Sequence, residues 1–127
     1  MRGYLPVTLS EVESFMNEGT LDALELYAPT IKFLTANSDL DEEEVEFALS
    51  LLAAEEAVEI QEGEFAFVLA LEVPESCIAS EDELLISLKD KAQWEHVECL
   101  FQVTDGGEEL TWFATQEISE NLQKWRA

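Results

Sequence analysis

Residues 65–73 read Phe65-Ala66-Phe67-Val68-Leu69-Ala70-Leu71-Glu72-Val73. Phe65, Phe67, Leu69, Leu71 and Val73 alternate with Ala66, Val68 and Ala70, so a strand here is apolar on both faces. A strand with no wet face belongs in the middle of a sheet, covered on each side, and Pro74 ends it. Upstream, helical spacing runs from about Asp39 or Asp41 to about Glu62 and stops at Gly63. Phe47, Leu51, Ala54 and Val58 make one stripe of that helix, and Val45, Ala48, Leu49 and Leu52 widen it. This predicts a long amphipathic helix with one broad face on the sheet and an opposite face that is almost wholly acidic.

Further upstream, Arg2 to Val7 alternate weakly and meet Thr8-Leu9-Ser10-Glu11, where Thr8 can cap a helix and Glu11 can return the bond. Leu9, Val12, Phe15 and Met16 recur at helical spacing, and Gly19 stands where a left-handed cap belongs. Leu24 to Ala28 reads as a second strand ended by Pro29. Strand, short helix, strand suggests a parallel pair, with a crossover near the minimum length. Ile31 to Leu34 is a short apolar segment. Downstream, Leu84, Ile86 and Leu88 alternate; Val97, Cys99, Phe101 and Val103 do the same within a strand from Trp94 to Val103. Asp105-Gly106-Gly107 is a turn into Leu110 to Ala114, pairing these two strands as a hairpin with Phe113 in the core. Ile118, Leu122 and Trp125 then give a short C-terminal helix that docks its Trp. The expected fold is one α+β domain over 1–127: two layers, with a mixed sheet of about five to six strands.

Twenty-nine acidic residues against six basic ones leave a formal charge of −23 on 127 residues. That balance excludes contact with nucleic acid or anionic lipid through a basic patch, since either needs clustered Lys and Arg. No apolar run is long enough for a signal peptide or a membrane span, which predicts a cytoplasmic protein that does not engage membranes. Cys77 and Cys99, with no C-x-x-C, are expected as buried thiols.

No Lys or Arg occurs between Lys32 and Lys89, whereas sixteen Asp and Glu do. Asp41, Glu42, Glu43, Glu44 and Glu46 crowd a helix N-terminus, where the dipole favours carboxylates. Glu55, Glu56, Glu59 and Glu62 lie toward the other end, where it disfavours them. Solubility, salt adaptation, a basic protein partner and a divalent cation are each compatible with such a pattern. Asn37, Asp39 and Asp41 mimic the first ligands of an EF-hand loop, but the Gly and the terminal Glu that the loop requires are replaced by Glu42 and Ala48. His96 and Cys99 cannot form a nucleophilic pair in a strand, because residues three apart point to opposite faces. Phosphate-binding glycine loops, the G-x-S-x-G elbow and H-E-x-x-H are all missing from the chain.

Three segments carry a resemblance. The opening Met1-Arg2-x-Tyr4-Leu5-Pro6-x-Thr8-Leu9, the acidic helix start Asp41 to Ala48 and the stretch Leu110 to Ile118 together resemble a family of small, acidic bacterial proteins of unknown function. Gly3, where a β-branched residue is usual, and Glu55 to Glu59, where some arginine is usual, depart from its pattern. The resemblance implies a cytoplasmic α+β protein and carries over no activity, cofactor or catalytic residue.

The functional expectation is a non-enzymatic interaction protein. Its acidic face, comprising Asp41, Glu42, Glu43, Glu46, Glu55, Glu56, Glu59 and Glu62, meets a basic protein partner by electrostatic steering, in a narrower form by mimicking a nucleic-acid phosphate backbone. No catalytic residue, cofactor or metal ligand is assigned, and no oligomeric state follows from the sequence. The competing expectation is a small hydrolase using carboxylates, with magnesium in one version, which requires a concave site.

Overall fold

The computed structural model describes residues 1–23 and 25–126. The chain runs β1 (Arg2–Val7), α1 (Leu9–Glu18), β2 (Thr20–Leu21), β3 (Glu25–Tyr27), α2 (Ile31–Ala36), α3 (Glu42–Ile60) and β4 (Ala66–Glu72). It continues through β5 (Ile78–Glu81), β6 (Leu85–Leu88), β7 (Ala92–Gln93), β8 (Val97–Thr104), β9 (Glu109–Ala114) and α4 (Thr115–Arg126). Seven strands form the main sheet in the order β5-β6-β3-β1-β4-β8-β9, and β2 pairs with β7 in a small ribbon beside it. The fold is α+β, and the strand that begins at Ala66 lies between β1 and β8, as its two apolar faces require.

Four expectations need correcting, the first being strand number: the main sheet has seven strands rather than five or six. The sheet is antiparallel at every described pairing rather than mixed, and β1 meets β3 antiparallel at Tyr4 opposite Tyr27. The short helix is no crossover, because residues 20–21 form β2 and the chain then enters β3 from the end at which β1 finishes. Leu24, the first residue of the expected second strand, lies outside the described residues. The fold also has three layers rather than two. Val12 and Phe15 of α1 and Ile118 and Trp125 of α4 pack with Leu5, Val7, Phe67, Leu69, Leu71 and Leu100 on one side of the sheet. Phe33 of α2 and Val45, Leu49, Ala53, Ala54 and Ala57 of α3 pack with Tyr4, Ala66, Val68, Ala70, Cys99 and Val103 on the other.

Local signals behave as their chemistry dictates. The Thr8 hydroxyl accepts from the Glu11 amide at 3.2 Å, the Glu11 carboxylate accepts from the Thr8 amide at 2.9 Å, and Gly19 caps α1 with φ 79°. Asp41 and Glu44 form the same reciprocal box at the start of α3. The segment Ile31 to Leu34 is helical, started by Thr30, whose hydroxyl accepts from the Phe33 amide. Trp94–His96 is a 3₁₀ turn, so β8 begins at Val97 rather than at Trp94. A bulge then places Ala70 opposite Cys99 and Leu71 opposite Val97. The extra residue, Glu98, turns Val97 to the α1 side while Cys99, Phe101 and Val103 face α3, so the four do not share one face. Trp125 docks in the core against Phe67 at 4.9 Å and Phe113 at 5.2 Å between ring centroids.

Candidate functional site

Helix α3 buries Val45, Leu49, Ser50, Ala53, Ala54 and Ala57. Its buried side is therefore rotated from the expected stripe: Ala54 is buried, Leu51 and Val58 are half-buried, and Phe47 is 60% exposed. The small residues Ala53, Ala54 and Ala57 meet Ala66, Val68 and Ala70 of β4, letting a long helix lie close to the sheet. Six carboxylates of α3 are exposed: Glu42, Glu43, Glu44, Glu55, Glu56 and Glu59. No Lys or Arg lies in α3, and none of the ion pairs among the described residues involves it.

The eight acidic residues singled out in the sequence fall into separate settings. Asp41 is the cap of α3, accepting from the Glu44 amide at 2.8 Å. Glu42 and half-buried Glu46 line a cleft between the start of α3 and the strand ends bearing Arg2, Glu72 and Glu98. Glu43, Glu55 and Glu59 are exposed, with no hydrogen-bond partner among the described residues. Glu56 accepts from the Tyr27 hydroxyl at 2.8 Å. Burial, that bond to Glu56 and the nearby charges of Glu56, Glu59 and Glu55 push the phenol up to about 12. Glu62, beyond the helix end, reaches the start of α1 and accepts from the Ser10 amide at 3.4 Å. Hydrogen bonds from Ser10 and Thr8 hold its carboxyl below the usual range, so Glu62 serves the N-terminus of another helix.

The cleft has a volume of about 750 Å³. On its sheet side Arg2 is held by each of its three nitrogens: Nε donates to the Tyr4 hydroxyl at 3.2 Å, Nη1 to Glu98 at 2.8 Å and Nη2 to Cys99 Sγ at 3.6 Å. Burial pushes the Cys99 thiol up despite Arg2, so it stays protonated at neutral pH. Pro29, Leu34, Leu40 and Val45 give the cleft apolar walls, and Leu34 is 43% exposed. The site thus combines a bound guanidinium, unpaired carboxylates and aliphatic surface. The sequence singled out only its α3 side, Asp41, Glu42 and Glu46; the remaining walls come from β1, β4, β8, α2 and the connections flanking α2, which no local pattern brings together.

Other sequence candidates resolve differently. Asn37 caps α2, its side-chain amide donating to the Phe33 carbonyl at 2.9 Å, and Asp41 caps α3, so two residues of the broken EF-hand pattern serve helix ends. His96 stands 3.8 Å from Glu95 in its turn, away from Cys99, whose side-chain neighbour is Arg2. Cys77 is half-buried and Cys99 buried, both free. Among the described residues, no three of His, Cys, Asp and Glu are placed to hold one metal ion. No described helix is long and apolar enough to cross a membrane.

The profile of a family of unknown function (DUF6912) matches residues 1–105. The match ends at Asp105, in the hairpin turn, so β9, α4 and the resembling segment Leu110 to Ile118 lie beyond it. No curated protein and no solved structure matches the chain.

Proposed function

The chain belongs to a family of unknown function, and from that premise we propose that it is a non-enzymatic cytoplasmic protein that binds a basic protein partner through α3. One observation carries the reading: α3 exposes six carboxylates, none ion-paired among the described residues, together with Phe47. Charge of one sign raises the encounter rate with a basic surface, and a solvent-facing aromatic supplies an anchor once contact is made. The distribution of charge supports this over a purely local role. Glu55, Glu56 and Glu59 stand in the C-terminal half of α3, where the dipole disfavours them and no basic residue compensates in the last turn.

The test is capture from lysate on immobilised protein at low salt, beside a variant with Glu→Gln at Glu42, Glu43, Glu46, Glu55, Glu56 and Glu59. The expected result is one stoichiometric basic protein, released as salt shortens the screening length from about 10 Å at 0.1 M to about 3 Å at 1 M, and missing from the variant. A partner retained equally by the variant, or an affinity indifferent to salt, would overturn the mechanism.

A further inference from the structure

Along α3, Glu43, Glu44, Glu55, Glu56 and Glu59 are exposed, and the first two turns of the helix border a cleft. There Glu42 and Glu46, one turn apart, line the 750 Å³ cleft, and neither accepts a hydrogen bond among the described residues. Opposite them Arg2 is committed to Tyr4, Glu98 and Cys99, so the guanidinium that would repel an incoming cation is already neutralised by Glu98 at 2.8 Å. Between these groups Leu34, Leu40 and Pro29 offer aliphatic surface above the buried Val45, with Leu34 left 43% exposed.

An occupant must satisfy both halves of this lining. A bare divalent cation does not, since no three carboxylates converge and the apolar wall would stay wet. A second copy of the chain does not, since two surfaces of a protein carrying −23 repel each other. A lysine or arginine side chain does: its methylene stem covers apolar surface while its cation reaches a carboxylate.

We propose that this cleft is the docking site for a basic, amphipathic peptide segment of a partner protein, with one Lys or Arg stem along Leu34 and Leu40 and its cation between Glu42 and Glu46. The inference rests on the reading of α3 as a partner-binding helix and deepens it by fixing where, and with what chemistry, the partner engages. Charge complementarity selects the occupant, and the apolar walls demand more of it than charge. Glu55 and Glu59, on the outer side of the helix, then act at long range and make no close contact.

The experiment titrates the full chain with a dye-labelled peptide of lysine and leucine arranged as an amphipathic helix, and with a polylysine of equal charge, following fluorescence anisotropy at low salt. The amphipathic peptide should bind saturably and about tenfold tighter than polylysine. Glu42→Gln with Glu46→Gln should weaken it about tenfold, Leu40→Ser by a comparable factor, and Glu55→Gln with Glu59→Gln by less than about threefold. Circular dichroism verifies folding, and the two Gln replacements keep the test open should the Leu40 variant unfold. Equal losses from the two Gln pairs, or polylysine binding as tightly, would overturn the cleft assignment while leaving α3 as a general basic-partner surface. A free polyamine competing as well as the amphipathic peptide at equal charge would also overturn it, in favour of a small cation. Absence of binding by either peptide would remove the cleft assignment and the α3 reading together.

Discussion

Phe67, Leu69 and Leu71 project from β4 toward α1 and α4, whereas Ala66, Val68 and Ala70 project from the same strand toward α3. The first face is filled by bulk. Two short helices bring Phe15, Ile118 and Trp125, and the rings of Phe67 (tilted) and Phe113 (edge-on) pack against the last of these. The second face is filled by closeness, with Ala53, Ala54 and Ala57 of one long helix against Ala and Val of the strand. Bulk gives each residue a large buried area and tolerates a loose helix angle. Closeness buries less per residue, and the nineteen-residue length of α3 leaves an extended outer surface that the core does not use. On that surface stand the unpaired carboxylates and Phe47.

The largest effect should come from emptying the bulky face. Leu69→Ala should cost about 2–5 kcal/mol in urea unfolding, because a fully buried side chain leaves a cavity among neighbours that cannot collapse onto it. The close face should fail in the opposite way. Ala54→Leu should cost about 1–3 kcal/mol by forcing α3 off the sheet, although the substitution adds apolar volume and helix propensity. A neutral or stabilising Ala54→Leu would break the contrast between the faces.

Much of this architecture could be read from the chain because it is written locally. The double-sided pattern of residues 65–73, the Thr8–Glu11 box and Gly19 each involve neighbours in sequence and needed no knowledge of the fold. Local pattern and structure part where distant segments decide. Strand direction depended on where β2 found its partner, and the face of Val97 depended on a bulge that inserts Glu98. Apolar residues nearly encircle α3, so spacing alone does not say that Phe47 faces out and Ser50 in. The acidic helix was legible as composition. Its partition into caps, a cleft, a Tyr27 acceptor and a brace for α1 was not, since each of these roles except the cap is set by a residue far away in sequence.

Gly3 sharpens the account of the bulky face. A Cβ built there would stand 2.9 Å from Leu26 Cδ2 and 3.1 Å from Leu26 Cβ, so the absent side chain makes room for a fully buried leucine. Gly3→Val should cost about 1–3 kcal/mol alone, and part of that cost should vanish in a Leu26→Ala background, as a double-mutant cycle would show.

A smaller effect is expected at alkaline pH on the α3 side. Tyr27 ionises at about 12 in the folded protein, above the usual 10, so its stabilising contribution is complete below pH 10 and is lost as pH rises from 10 to 12. In that interval the unfolded chain releases the proton while the folded one keeps it. Tyr27→Phe should therefore flatten the decline of stability over that range, and spectrophotometric titration of the variant should lack the latest phenolate. An unchanged alkaline decline would show that the Tyr27–Glu56 bond does not couple α3 to β3.

The central claim is that carboxylates in the C-terminal half of α3 are held there against the helix's own stability. The unfolding free energy of Glu55→Gln with Glu59→Gln, compared with the parent at low and high salt, tests it most directly. The variant should be more stable by about 0.5–1 kcal/mol at low salt, through relief of repulsion and of the unfavourable dipole term, and the difference should shrink as salt is added. A variant less stable than the parent at low salt would show that these charges serve the fold, and the interaction reading of α3 would lose its support.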